Sequence, residues 1–203
     1  MAELKTTYMG LSLRNPVVVA SSGLVSKIEG VKKAEAAGAG AVVLKSLFEE
    51  QVRMENAGDI SDMDGWQHPE AAAFLQAEAW MRYGPRDYCK FIEEAKREVS
   101  IPIIASVNCT SGDWWTDYAK DTEAAGADAL ELNILVPGTN PDLPGAEVEQ
   151  VYFDVVRAVS SQVKIPVAAK IGFSFASLAN VAQTLKESGA RGLVLFNRFH
   201  RPD

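Results

Sequence analysis

The chain has 203 residues, 47% of them hydrophobic, with a formal charge of −7 and a pI near 5.0. That suits one soluble globular domain with a sizeable core. The acidic balance, with no Lys/Arg run, argues against a nucleic-acid partner, and no apolar stretch reaches the roughly 18–20 residues that span a bilayer. The N-terminal MAELKTTYMG lacks a signal-like apolar core, so a cytoplasmic location is expected.

In chain order, KTTYMGLSLR (5–14) reads as a small hairpin that would cover one end of a barrel. NPVVVASSG (15–23) follows as a first short strand opened by proline, where a missing N–H costs little. A helical pattern over roughly 27–38 leads to EAAGAGAVVLKS (35–46) and a second strand. Residues 47–84 form a long insertion with DMDGWQHPEA near its centre; long loops of this kind are commonly functional. A helix over 87–99, with Asp87 as candidate N-cap, precedes IPIIASVNC (101–109). Further helices are expected at 115–125, 146–163 and 177–188, the last with Ser177 as N-cap. They alternate with EAAGADALELNI (123–134), IPVAAKIGF (165–173) and ESGARGLVLFNR (187–198).

The strands thus fall into two repeating types. One opens on proline. The other follows an acidic helix end and a glycine suited to the positive φ of a helix C-terminus. The strands are near-continuous apolar runs, as parallel strands covered on both faces should be. Alternating helices and strands allow a doubly wound sheet or a (β/α)8 barrel. The two-type repeat and the absence of a GxGxxG or P-loop turn favour an incomplete (β/α)8 TIM barrel. FNRFHRPD ends the chain just past the sixth strand, so the sequence reads as a single partial barrel domain, 1–203, with the first six units and without the last two.

In a barrel, ligands bind where the strands end. Every strand turns polar there: Ser21 and Ser22, Lys45 and Ser46, Asn108 then Cys109, Glu131 and Asn133, Lys170, and Asn197. Period two places Glu131 and Asn133 on one face of their strand. Two lysines and three asparagines suit a flat polar ligand with carbonyls, such as a flavin ring, or a phosphorylated metabolite. Cys109 is the only thiol expected near that face, while Cys89 lies on a helix and reads as structural. His68 and His200 read as surface loop residues, and two cysteines without CxxC supply neither a disulfide framework nor a zinc site. Trp114 and Trp115 open the third helix and either wall the site or pack beneath it.

The ordered set NPVVVASSG, VVLKS, IIASVN, ELNI-x-x-P and AAKI resembles the dihydroorotate dehydrogenase family of FMN-dependent barrels. SLFEEQ and LVLFNRFHRPD bring it nearest the branch described only as dihydroorotate dehydrogenase-like. The resemblance implies an FMN-dependent oxidoreductase that moves hydride at a CH–CH bond of a pyrimidine-like small substrate. Ala20, Ser21 and Ser22 would lie against the flavin ring, and Lys45 would contact flavin and substrate. Asn108 and Asn133 would bond flavin or substrate, Lys170 would approach the N1–C2=O edge, and Asn197 would sit near substrate or ring. The chain departs from the family at the base position of ELN-x-x-C-P-N, which is Val136, with Gly138 where the family has a substrate-binding asparagine. Valine cannot accept a proton. Cys109 and Thr139 are the remaining candidates for a base. The family's FMN phosphate site, in loops after strands seven and eight, falls outside this sequence. Two other readings stay open: a flavin-free barrel using Lys45 or Lys170 as an amine catalyst (a lyase or isomerase), and an inactive barrel fragment with a binding or assembly role. The expected partner is a small molecule, with no metal, nucleic acid or membrane, and a homodimer is one option.

Overall fold

The computed structural model describes residues 4–48, 85–109, 115–136 and 140–197. DMDGWQHPEA, His68, Trp114, Gly138, Thr139 and His200 lie outside the described residues, as do the side chains of Cys109 and Trp115.

The chain opens with the expected hairpin: β1 (Thr6–Tyr8) pairs antiparallel with β2 (Leu11–Leu13). Met9 and Gly10 turn it with positive φ of 53° and 84°, as a tight two-residue connection requires. The remaining elements alternate: β3 (Val18–Val19), α1 (Ile28–Ala36), β4 (Ala41–Val43), β5 (Leu47–Phe48), α2 (Pro85–Glu98), β6 (Ile103–Cys109), α3 (Trp115–Ala124), β7 (Ala129–Ile134), α4 (Gly145–Ser160), β8 (Val167–Ile171), α5 (Leu178–Glu187) and β9 (Gly192–Leu195). A 3-10 turn, Gly23–Val25, lies between β3 and α1.

These strands form one parallel sheet in the order β3-β4-β6-β7-β8-β9, with β5 pairing β6 beyond the end of β4. The order follows the chain with no reversal, so the sheet is singly wound, and the doubly wound alternative is excluded. Two separate cores show the curl. Val42, Ile103, Ala105, Leu130, Leu132, Val167, Ala169 and Ile171 pack with helix residues such as Val31, Ile92, Val156 and Leu185. The alternate residues Ala41, Val43, Ile104 and Ala129 pack instead with Leu13 of the hairpin, and Tyr8, Met9 and Leu11 close over them. Helices therefore cover the outer face and the hairpin fills the inner one, which is the architecture of an incomplete TIM barrel.

The repeat owes its form to the joints. Gly38, Gly126 and Gly189 follow α1, α3 and α5 with φ of 95°, 93° and 114°, the left-handed conformation that ends a helix and frees the chain to enter a strand. The repeated acid has a task as well. Glu35 Oε1 accepts from the backbone N–H and hydroxyl of Ser100, each at 2.7 Å, ahead of β6. At the same place in the repeat, Glu123 Oε1 accepts from the N–H groups of Lys164 and Ile165 at 2.7 and 2.9 Å, ahead of β8. Each acid thus fastens the turn that opens a proline-type strand.

Four expectations need correction. Asp87 does not cap α2: the helix already begins at Pro85, which suits a first helical position because it has no N–H to satisfy. Ser177 does hold the N-cap position of α5, but its side chain makes no capping bond. The insertion does not begin at residue 47, because Leu47 and Phe48 pair with Val107 and Asn108. The first strand is also shorter than its apolar run, since β3 borders only β4 and leaves the ladder before Ala20.

Candidate functional site

Seen along the sheet, the inward positions change character from one level to the next. At the hairpin end they are Val43, Ile104 and Ala129, all apolar. One level up, Ser106, Glu131, Ala168 and Gly192 stand in register. At the next level, Asn108, Asn133, Lys170 and Val194 stand in register. Polar side chains inside a barrel are costly unless partnered or facing a ligand, so each contact matters.

Asn133 donates its Nδ2–H to Oδ1 of Asn108. Its own Oδ1 is buried and has no hydrogen-bond partner. Beside it on β8, Lys170 Nζ lies 3.6 Å from Oε1 of Glu131, with side-chain exposures of 14% and 5%. At that length the pair is a Coulombic contact, since a hydrogen bond is shorter, and Glu131 Oε1 accepts no hydrogen bond. Burial raises the Glu131 pKa above the usual carboxylate range, and Lys170 offsets only part of the rise. Tyr8 reaches the same interior from the hairpin, and its phenol is pushed up to about 12 by burial and by the Glu131 charge.

A second group builds the other flank. Ser21 Oγ and Ser46 Oγ are 2.9 Å apart, Ser46 N–H donates to Ser21 Oγ at 2.9 Å, and Ser46 Oγ lies 2.8 Å from Ser106 Oγ. This chain of hydroxyls ties strand one to strand three across the place where the chain leaves β4. That departure, at Leu44–Ser46, interrupts the pairing on one edge of β6. Tyr88 of α2 makes good the loss: Ser106 N–H donates to its hydroxyl at 2.9 Å, and the hydroxyl donates to Ser106 C=O at 3.1 Å. Burial raises the Tyr88 pKa, so the phenol stays protonated and able to donate.

The structure therefore brings together Asn108, Asn133 and Lys170, and Ser21 with Ser46. Lys45 is half-buried just beyond the buried Leu44, and its N–H donates to Val25 C=O at 3.4 Å. Ala20 is exposed and Ser22 half-buried, with Ser22 C=O accepting from Val25 N–H at 3.2 Å. Asn197 is half-buried and its N–H extends the ladder to Ile171 C=O at 2.9 Å. Val136 is half-buried with its N–H donating to Tyr152 Oη at 3.2 Å. Cys109 pairs with Ile134 in the ladder, and Cys89 is half-buried against the outer core, as a structural residue should be. Sequence reading missed Ser106, although it stands two residues before Asn108 and so shares its face. It noted Glu131 as a strand-end residue but gave it no role. Period two reports a face, and cannot report which residue crosses from the neighbouring strand.

Comparison with known proteins gives the family. Residues 3–200 match the family model described as dihydroorotate dehydrogenase. A relative from Aeropyrum pernix, provisionally named a dihydroorotate dehydrogenase A (fumarate), is 32% identical over 96% of this chain and 61% of its own. The catalytic subunit of a dihydroorotate dehydrogenase B (NAD(+)) from Methanocaldococcus jannaschii is 30% identical over 96% of this chain and 62% of its own. The chain thus spans about three-fifths of the length of these curated relatives. Among solved structures, a phosphoenolpyruvate phosphomutase from Streptomyces platensis subsp. rosaceus superposes with a TM-score of 0.54 at 18% identity, over 90% of this chain and 55% of that one, a likeness of fold alone. No helix among the described residues is long and apolar enough to cross a membrane. Matched over residues 3–200, the chain belongs to the dihydroorotate dehydrogenase family.

Proposed function

We propose that this chain supplies the ring-binding part of an FMN site, in an oxidoreductase that transfers hydride at a CH–CH bond of a pyrimidine-like small substrate. One observation carries the reading: the orphaned Oδ1 of Asn133 beside the ammonium of Lys170, at the ends of adjacent strands. A buried acceptor without a partner is costly, and a ligand with an N–H donor next to carbonyl acceptors answers both groups at once. The edge of a flavin ring has that pattern, as does a pyrimidine, so the residues present fit the group.

Bound FMN would supply the two-electron chemistry; the protein's part is binding, orientation and electrostatics. Asn133 and Asn108 would hold the N–H and carbonyl edge. Lys170 would place positive charge where electron density accumulates. Ala20, Ser21 and Ser22 would border the ring, with Ser21 kept in place by Ser46 and Ser106. Lys45 would contact both ring and substrate, and Asn197 the substrate. Val136 stands where the family carries a proton acceptor and cannot serve as one, so Cys109 and Thr139 remain the candidate bases.

The test is reconstitution. The whole chain incubated with FMN and with riboflavin, then freed of excess ligand, is expected to retain the flavin absorbance bands and to quench the ring's fluorescence. Lys170→Met should weaken that binding. A correctly folded chain that binds neither flavin at millimolar concentration would refute the proposal.

A further inference from the structure

Glu131 has no part in that reading, yet its pair with Lys170 is the most deeply buried ion pair among the described residues. A structural pair in so dry a place is expected to be fully hydrogen-bonded, because Coulomb attraction alone seldom repays desolvation of two charges. This one is not: the contact is 3.6 Å and Glu131 Oε1 has no hydrogen-bond partner. Nor do its neighbours complete it. Tyr8 and Tyr88 both feel the Glu131 charge, but the hydrogen bonds of the Tyr88 hydroxyl go to Ser106. The carboxylate sits one level below Lys170 in the barrel interior, on the side away from the mouth, because Glu131 is in register with Ala168 and Lys170 with Asn133.

We propose that Glu131 is a positioning residue that anchors Lys170 at the mouth and offsets its charge, so that the ammonium's pull on an electron-rich ring is moderated from beneath. The inference rests on the flavin reading for the identity of the ring, though the pairing itself does not. Its consequence is a sign. Removing the carboxylate leaves the Lys170 charge undiminished, which favours the reduced, more negative flavin. Removing Lys170 does the opposite, and it also takes from the buried Glu131 the cation that favours its ionised form.

The experiment uses the whole chain loaded with FMN, in four forms: unaltered, Glu131→Gln, Lys170→Met and the double variant. The flavin midpoint potential is read by spectroelectrochemical titration. Glu131→Gln is expected to raise the reduced-to-oxidised ratio at fixed potential about tenfold, which is about 30 mV for a two-electron couple. Lys170→Met should lower it, and in that background Glu131→Gln should have little further effect, because burial without the cation favours the neutral acid, which glutamine matches in charge. In parallel, the side-chain carboxyl carbon of Glu131, assigned by its loss in Glu131→Gln, is titrated by NMR without flavin. Its midpoint should move to higher pH in Lys170→Met, since the cation favours the ionised acid. If the titration moves but the folded chain takes up no flavin, the flavin reading falls and the counter-ion assignment stands. If flavin binds and the potential of Glu131→Gln is unchanged, the assignment is overturned and the flavin reading stands. A titration indifferent to Lys170→Met also overturns it.

Discussion

The floor and the mouth of this barrel are built by the same strands and differ in nearly every physical respect. At the floor, Ala41, Val43, Ile104 and Ala129 meet Leu13 in one apolar cluster. Two and four residues further along β6 and β7, the same inward positions carry Ser106 and Asn108, Glu131 and Asn133. The floor is sealed by a segment of the chain itself. The mouth keeps an orphaned amide oxygen and a loosely held ion pair. One end holds the scaffold together, and the other carries groups that a scaffold alone does not need.

That contrast can be broken by substitution. The largest effect belongs to the floor: Leu13 is 2% exposed, and Leu13→Ala is expected to cost about 2–5 kcal/mol through lost burial and a residual cavity, read as a drop in urea midpoint. Gly192→Ala comes next, since a Cβ there would meet Met9 Cγ at 2.8 Å and the Tyr8 hydroxyl at 3.0 Å. Displacing the hairpin should cost about 1–3 kcal/mol, and a stability equal to the unaltered chain would show that the hairpin is a loose cover. Tyr88→Phe leaves the N–H and C=O of Ser106 without their partner, a loss of about 1–3 kcal/mol in the same denaturation assay.

The mouth should respond in the opposite sense. Asn133→Leu is expected to change stability by less than about 1 kcal/mol, because it removes an unsatisfied acceptor along with one hydrogen bond, while weakening riboflavin binding about tenfold in a fluorescence titration. Equal losses in both measurements would erase the distinction between the two ends. The smallest effect is at Glu35, whose carboxyl is held below the usual range by the hydroxyl and then the backbone N–H of Ser100. A lowered carboxylate pKa stabilises the fold above the unfolded value, and that stability is lost as pH falls through the folded one. The site is solvent-screened, so Glu35→Gln should cost under about 1 kcal/mol at neutral pH. The difference between the two urea midpoints should vanish in acid.

Much of this was legible in advance because the barrel advertises itself in repeats. Proline before one strand and glycine before the next are backbone requirements, and they leave a mark at every joint. The candidate site was legible only as a set of strand ends. Asn133 and Lys170 are 37 positions apart and meet only because β7 and β8 are in register, a relation that no local pattern carries. The break at Leu44–Ser46 was invisible too, since VVLKS reads as one strand ending at residue 46 and LF as the start of the insertion, until both are seen beside β6 with Tyr88 filling the gap. Asp87 misled because a capping residue type beside a helical pattern outweighed the proline two residues earlier, which was the better start signal.

The two points where residues 49–84 join the rest of the protein are both fastened to a single strand. On one side Phe48 pairs with Asn108; on the other Tyr88 binds Ser106. Behind them, Glu35 and Ser100 close the same span from beneath. Strand β6 is therefore the common footing of both junctions, and a substitution that shifts β6 would move the two together.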